Sequence, residues 1–334
     1  MLAAIEITPW HWVGFIACVL VFLAIDLGVF HRHAHVVRFK EALIWTGVWV
    51  TVALVFGLVV APAIVGEWTR KESIEFVTGY LIELSLSMDN VFVIALIFGY
   101  FRIPSQFQHR VLFWGILGAL IMRGALIGAG VALISMLSWV LYVFAALLIY
   151  SGIKMMFVEA DVEPEKNPVI RLARKLYPIC PDLDGQKFTT HWNGRLALTP
   201  LALVLLMVET TDLVFALDSI PAIFAVTTKS FIIFTSNVFA ILGLRSLYFV
   251  LAGAIGYFRY LKYGLSLVLV FIGTKMLLAP HHEPRKWFQV EIPTGLSLIV
   301  VAGIILISIL ASVIAQQREK KVEAQKKSDQ SEPS

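Results

Sequence analysis

The sequence predicts an all-α polytopic membrane protein of about nine transmembrane helices, built on two inverted three-helix repeats. Three observations carry this. Hydrophobic residues make up 59% of the 334-residue chain and charged residues only 15%, against about 45–50% and about 25% in soluble domains. The apolar residues fall in continuous runs, each near the roughly 20 residues that cross a hydrocarbon core. Charged residues recur inside those runs, twice, in register. Nine runs are legible, at 11–31, 41–61, 73–99, 110–134, 137–157, 197–226, 231–254, 261–279 and 293–315. They are too long and too continuous for the alternating strands of a membrane barrel, so helices are the only spanning structure they allow.

The first run is expected to stay as a helix. The first ten residues hold no Lys or Arg, so the basic region of a cleavable signal is missing. Helices three to five form repeat one (73–157) and helices six to eight repeat two (197–279). Three is odd, so the copies are expected to enter the membrane in opposite directions, with a site near the midplane where they meet. Helices one, two and nine read as peripheral. The whole of 1–315 reads as a single transmembrane domain.

Between the repeats, 158–196 is the sizeable cytoplasmic loop. Within it PVIRLARKLY (168–177) reads as an amphipathic helix, and FTTHWNGRLALT (188–199) as a hairpin turning at Asn193-Gly194. The polar tail 316–334 has the composition of a disordered segment. Lys and Arg number 18 on the side holding this loop and the tail, and 5 on the other. The positive-inside rule therefore places the N-terminus outside and the C-terminus in the cytoplasm of a bacterial inner membrane. The net charge of +4 is a property of these loops. No basic stripe with interleaved aromatics is present, so no nucleic-acid partner is expected. Cys18 and Cys180 are far apart in sequence and suggest neither a disulfide framework nor a Cys-based metal site.

The repeated charges define the candidate site. ELSLSMDNVFVI (83–94) aligns with DLVFALDSIPAI (212–223), so that Glu83 meets Asp212, Asp89 meets Asp218 and Asn90 meets Ser219. Each block is followed by an arginine in an apolar segment, Arg123 in ALIMRGAL and Arg245 in ILGLRSLY. Each arginine is followed by a near-identical phrase, YSGIKMMF with Lys154 and FIGTKMLL with Lys275. A charge at the bilayer centre costs roughly 2.5–3.5 kcal/mol even on the insertion scale. Its duplication in register is a transporter signature. Helix one echoes the phrase around Asp26.

Six acids thus lie at membrane depth: Asp26, Glu83, Asp89, Glu209, Asp212 and Asp218. With the Asn90 amide and the hydroxyls of Ser85, Ser87, Ser219, Thr210 and Thr211 they make an oxygen ligand set, and no His is expected within a span. Such a set suits Mg²⁺, Ca²⁺ or Mn²⁺ and argues against Zn²⁺ or Cu⁺. Met88 and Met207 offer soft atoms, though methionine in a membrane helix is ordinarily packing. Glu83 and Asp89 stand about 9 Å apart along an ideal helix and about 120° apart around it. Both can reach one small ion only if the helix breaks. Pro221 is expected to break helix six and free the Leu217 carbonyl.

Against the six acids stand Arg123, Arg245, Lys154 and Lys275, which leaves −2 if all are ionised. One divalent cation or two protons would balance it, so metal–proton exchange is the expected chemistry. For the arginines, pairing with acids across the repeat competes with substrate contact; for the lysines, snorkelling to the interface competes with a buried role. His31, His33 and His35 read as an interfacial basic loop rather than a metal-gathering one.

At GYLIELSLSMDNVFVIALIF, VETTDLVFALDSIPAIFAVTT, NVFAILGLRSLYF and LKYGLSLVLVFIGTKML the chain resembles the TerC family of integral membrane proteins, in its Alx-like branch, over roughly residues 12–315. The family takes its name from tellurium resistance, and the Alx-like branch is associated with manganese export and alkaline pH. The resemblance implies that Glu83, Asp89, Asn90, Glu209, Asp212 and Asp218 handle the metal, with Asp26, Ser219, Arg123, Arg245, Lys154 and Lys275 supporting them. Leu84, Ser87, Thr210 and Thr211 depart from the Alx-like pattern and bear on selectivity. The resemblance supplies manganese; the residues alone supply only an oxygen-liganded divalent cation.

The expectation is a secondary transporter that exports Mn²⁺ from the cytoplasm, exchanging it with protons, with no permanently bound cofactor. Its partners are Mn²⁺ or other divalent cations, protons and the lipid bilayer. Two rivals are efflux of an oxyanion such as tellurite through the arginines, and a membrane partner delivering metal to secreted proteins. Acids outnumber bases at depth, which disfavours the first, and the outer loops are short, which disfavours the second. No nucleophile–base pair, phosphate loop or zinc signature suggests an enzyme.

Overall fold

The computed structural model describes residues 7–28, 39–137, 139–157, 164–252, 260–280 and 289–331. Ten helices and one short hairpin make up these residues. They are α1 (Pro9–Gly28), α2 (Phe39–Ile64), α3 (Arg70–Tyr100), α4 (Ser105–Met136), α5 (Val140–Phe157), α6 (Pro168–Leu176), α7 (Pro200–Phe224), α8 (Ser230–Ala252), α9 (Leu261–Leu278) and α10 (Thr294–Ser331). Eight of them are long and apolar enough to cross a membrane, and α1 contributes a shorter apolar stretch, Pro9–Ile25.

The starts and stops follow local chemistry. Thr69 caps α3 by accepting from the Lys71 amide, and Glu72 reaches back to the Thr69 amide at 2.8 Å, a capping box. Proline occupies the first turn of α6 and α7, where its missing N–H costs nothing. Asn167 caps α6 through the Val169 and Ile170 amides. Helix α2 carries a π turn at Phe56–Val60. There Gly57 lets the Phe76 ring sit directly on its backbone, a position a Cβ would fill.

The predicted hairpin is present as β1 (Thr189–Trp192) and β2 (Arg195–Leu198), with Asn193 and Gly194 at φ 51° and 73°. Both central residues at positive φ are what a two-residue turn of this hand requires. The predicted break at Pro221 does not occur. Helix α7 runs through it to Phe224: the proline removes only its own N–H bond to the Leu217 carbonyl, and the turns on either side of that one gap stay helical. Helix α10 continues past Ala315 to Ser331, through the stretch whose composition reads as a disordered tail; its Arg, Glu, Lys, Ala and Gln are strong helix formers. His31, His33 and His35 lie outside the described residues.

Helix α8 is the most enclosed element, while α2 and α10 keep most of their surface exposed. In a bilayer that exposed apolar surface faces lipid. The packing between the two three-helix segments is reciprocal. Helix α3 lies on α8 and α7 lies on α4; α3 meets α7, α4 meets α8, and α5 meets α9 in the closest pairing of all. The last contact rests on two glycines from the near-identical phrases. A Cβ on Gly152 would stand 2.8 Å from the Ser266 carbonyl oxygen, and one on Gly273 would stand 2.9 Å from the Ala145 carbonyl oxygen.

Candidate functional site

Arg123, on α4, is the centre of the polar interior. It is 2% exposed, and its guanidinium bonds to side chains of three other helices. Nε and Nη2 donate to the two carboxylate oxygens of Asp212 at 3.1 and 2.9 Å, the fork-to-fork geometry of a bidentate pair. Nη1 donates to Glu83 Oε1, and at 3.4 Å to Ser219 Oγ and Asn237 Oδ1. The Asn90 amide nitrogen donates to Asp212 Oδ1, also at 3.4 Å. Glu83 and Asn90 come from α3, Asp212 and Ser219 from α7, and Asn237 from α8.

Helical spacing explains who is present. Glu83, Ser87 and Asn90 are four and three residues apart and form one stripe on α3; Asp212 and Ser219, seven apart, form another on α7. Asp89 is off the first stripe and Asp218 off the second. The aligned Glu83 and Asp212 thus meet on the same arginine, with Ser219 touching it directly and Asn90 reaching it through Asp212.

Charge and hydrogen bonding do not close the shell. Glu83 Oε2, Ser87 Oγ, Asn90 Oδ1 and Asn237 Nδ2 are buried and have no partner among the described residues. Three of these are oxygens on the one stripe of α3. Unmatched buried polar atoms of this kind cost about 1–3 kcal/mol each, so these four positions call for a partner beyond the side chains around them.

The remaining predicted residues surround this cluster without joining it. Asp89 lies within electrostatic reach of Lys262 on α9. Asp218 accepts from Ser151 Oγ of α5 at 2.5 Å and is within reach of Lys154. Glu209 is half-buried, within reach of the Asp212 charge, with its carboxylate against Gly118 of α4, where any Cβ would collide with it. Arg245 is half-buried on α8. Lys154 is exposed, in keeping with snorkelling, whereas Lys275 is buried on α9. Asp26 belongs to α1 by its backbone; its side chain lies outside the described residues.

Other candidates are accounted for by local bonds. Ser85, Thr210 and Thr211 donate to the Leu81, Leu206 and Met207 carbonyls of their own helices. Met88 and Met207 pack in the apolar cluster around Val91 and Val204, the ordinary role of methionine. Helix α4 begins earlier than the apolar run, at Ser105, and so contains a buried His109, contrary to the expectation of no His within a span. Among the described residues no three of His, Cys, Asp and Glu gather as a metal-binding group.

A second polar cluster was missed in the sequence. Glu72 and Glu75, at the start of α3, are 7% and 4% exposed. Lys229, just before α8, bridges them at 2.5 and 3.2 Å, and Thr227 Oγ1 donates to Glu75 at 2.8 Å. The alignment of the two repeats begins at Glu83, so nothing in the second copy drew attention to these acids.

The family profile described as "Integral membrane protein TerC family" matches residues 68–320, which include every element of both clusters. The chain belongs to the TerC family. Among TerC relatives, an uncharacterized membrane protein of Myxococcus xanthus is 53% identical over 312 residues, covering 92% of this chain and 93% of its own. Two more, from Salmonella typhi and Escherichia coli K12, are named as candidate membrane-bound redox modulators, Alx. Each is 43% identical, over 325 and 320 residues, covering 95% and 94% of this chain and 98% and 97% of their own. No solved structure matches the chain.

Proposed function

We propose that this TerC protein is a secondary transporter, not an enzyme, that exports Mn²⁺ across the bacterial inner membrane in exchange for protons. Its N-terminus lies outside and its C-terminus in the cytoplasm. One observation carries the reading: Glu83 Oε2, Ser87 Oγ and Asn90 Oδ1 are three unpartnered buried oxygens on one face of α3, and the Asn90 amide nitrogen of that face donates to the Asp212 carboxylate. An all-oxygen set of carboxylate, amide and hydroxyl is what a hard divalent cation takes. The likeness to the Alx-like branch favours manganese among such cations.

In this reading Arg123 is the resident counter-charge of the empty site. It neutralises Glu83 and Asp212 while no cargo is present, and an arriving dication competes with it for the same oxygens. Asp89, Asp218 and Glu209, set around the centre, provide the next carboxylates along the path. The two inverted repeats supply the alternating access.

An oxyanion substrate is disfavoured because the Arg123 guanidinium is already saturated by two carboxylates. The relatives' name points to redox chemistry, but Cys18 and Cys180 are both free, one exposed and one buried.

The test is flux in reconstituted vesicles. Mn²⁺ uptake should exceed that of Mg²⁺, Ca²⁺ and Zn²⁺ and vanish in Glu83→Gln and Asp212→Asn. Folded protein that moves no cation would overturn the proposal.

A further inference from the structure

The 129-residue offset that carries Glu83 to Asp212 also carries Glu72 to Leu201 and Glu75 to Val204, and the 122-residue offset that carries Arg123 to Arg245 carries Phe107 to Lys229. One end of the α3–α8 contact therefore holds Glu72, Glu75 and Lys229. The register-matched end of the α7–α4 contact holds Leu201, Val204 and Phe107. The first trio is joined by ion pairs, with Thr227 as a fourth member and the Lys275 charge within reach of Glu75. In the second, Leu201 and Val204 are fully buried and Phe107 packs against their cluster. Equivalent positions are thus closed by opposite chemistry.

Resting on the transport reading, we propose that Lys229 latches a polar gate over the end of the pathway where α3 begins, and that Phe107, Leu201 and Val204 form an apolar plug at the other end. The polar end is built to release. Its single lysine is the sole basic group in direct contact with both acids among the described residues, and its side chain is 30% exposed, so solvent ions reach it. Around it the frame is fixed: Trp68 Nε1 donates to Ser73 Oγ, which donates to the Gly57 carbonyl in the π turn of α2, both at 3.0 Å. The start of α3 is held to α2 on one side, while at this end its charged link to the second repeat is Lys229, with Thr227 bonded beside it. Among the described residues no ion pair joins Phe107, Leu201 and Val204; the nearest polar link there is the bond from Tyr248 Oη to Gln108 Oε1.

Ser236 reports on the gate. It lies two turns inward of Lys229 on α8, is fully buried, and a Cβ on Gly79 of α3 would stand 3.2 Å from its hydroxyl. Ser236→Cys in a chain carrying Cys18→Ser and Cys180→Ser would be labelled with a charged, membrane-impermeant methanethiosulfonate, applied separately to each side of the reconstituted membrane. Lys229→Gln should raise the labelling rate by about ten-fold from the side where α3 begins, and not from the other. Lys229→Arg, which keeps the bridge, should label at the parental rate, as should Phe107→Ala from that side. An unchanged rate in folded Lys229→Gln, or a rise in Lys229→Arg equal to that in Lys229→Gln, would overturn the gate. The assay needs no cargo, so a failure to transport Mn²⁺ is a separate result.

Discussion

Glu83 and Asp212, 129 residues apart in the chain and matched between its two repeats, share the guanidinium of Arg123. A single guanidinium thus joins the first acid of each aligned block.

Arg123→Met would strand two buried carboxylates. Removing one partner of a buried pair typically costs about 3–5 kcal/mol, so a large drop in thermal or denaturant midpoint of the purified protein is expected. The triple change Arg123→Met, Glu83→Gln, Asp212→Asn should recover most of that stability and none of the Mn²⁺ flux. Recovery of flux would separate these carboxylates from the pathway.

Gly118→Ala acts on Glu209 at a distance from the alignment of the repeats. The added methyl must push aside the Glu209 carboxylate, the far end of a flexible side chain, so the stability cost is at or below the low end of the about 1–3 kcal/mol that overpacking takes, and the main effect is a displaced carboxylate. Flux should fall, and Glu209→Ala in the same chain should restore stability but not flux. A double-mutant cycle with a coupling energy near zero would show that the two positions are independent.

Gly152→Ala and Gly273→Ala each drive a Cβ to within 3 Å of a backbone oxygen on the facing helix. Backbone cannot swing aside as a side chain does, so each should destabilise by about 1–3 kcal/mol or more. Equal losses at both sites, read by denaturant titration, are expected from their reciprocal geometry.

The segment between α6 and α7 carries a pH response of its own. Asp184 accepts from Thr190 Oγ1 at 2.7 Å and from Lys187 Nζ at 3.0 Å, and these bonds hold its carboxyl below the ordinary aspartate value. A depressed folded pKa stabilises above the unfolded value and loses that contribution as pH falls through the folded one. Amide exchange around 184–190 should therefore quicken on acidification below the usual carboxylate range. Thr190→Val should move the onset to higher pH.

The spans, the duplicated acids and the hairpin were legible because they depend on local pattern: hydropathy, register and an Asn-Gly turn. Which acids converge was half legible. Spacing set Asp89 about 120° around the helix from Glu83, and among the described residues Asp89 makes no hydrogen bond to Arg123. What spacing could not give was the partner across the interface, so Asn237, which opens the phrase NVFAILGLRSLYF, was not singled out although it meets Arg123 Nη1 at 3.4 Å. Glu72 and Glu75 were missed for a related reason. They were screened by repetition, and their second copies are Leu201 and Val204. The Pro221 break failed because one lost bond to the residue four before it does not by itself end a helix whose neighbouring turns are held by packing.

The glycine pair of α5 and α9 has a mechanical meaning. With Gly152 against one backbone and Gly273 against the other, the two helices meet at main-chain distance, with Leu148, Ile149, Leu269 and Val270 packed close around the contact. So tight a seam leaves little room for one helix to slide on the other, and the pair is built to move as a single post. In the proposed transport cycle such a post would serve as the pivot, and the helices that carry Glu83, Arg123, Asp212 and Asn237 would be the moving parts.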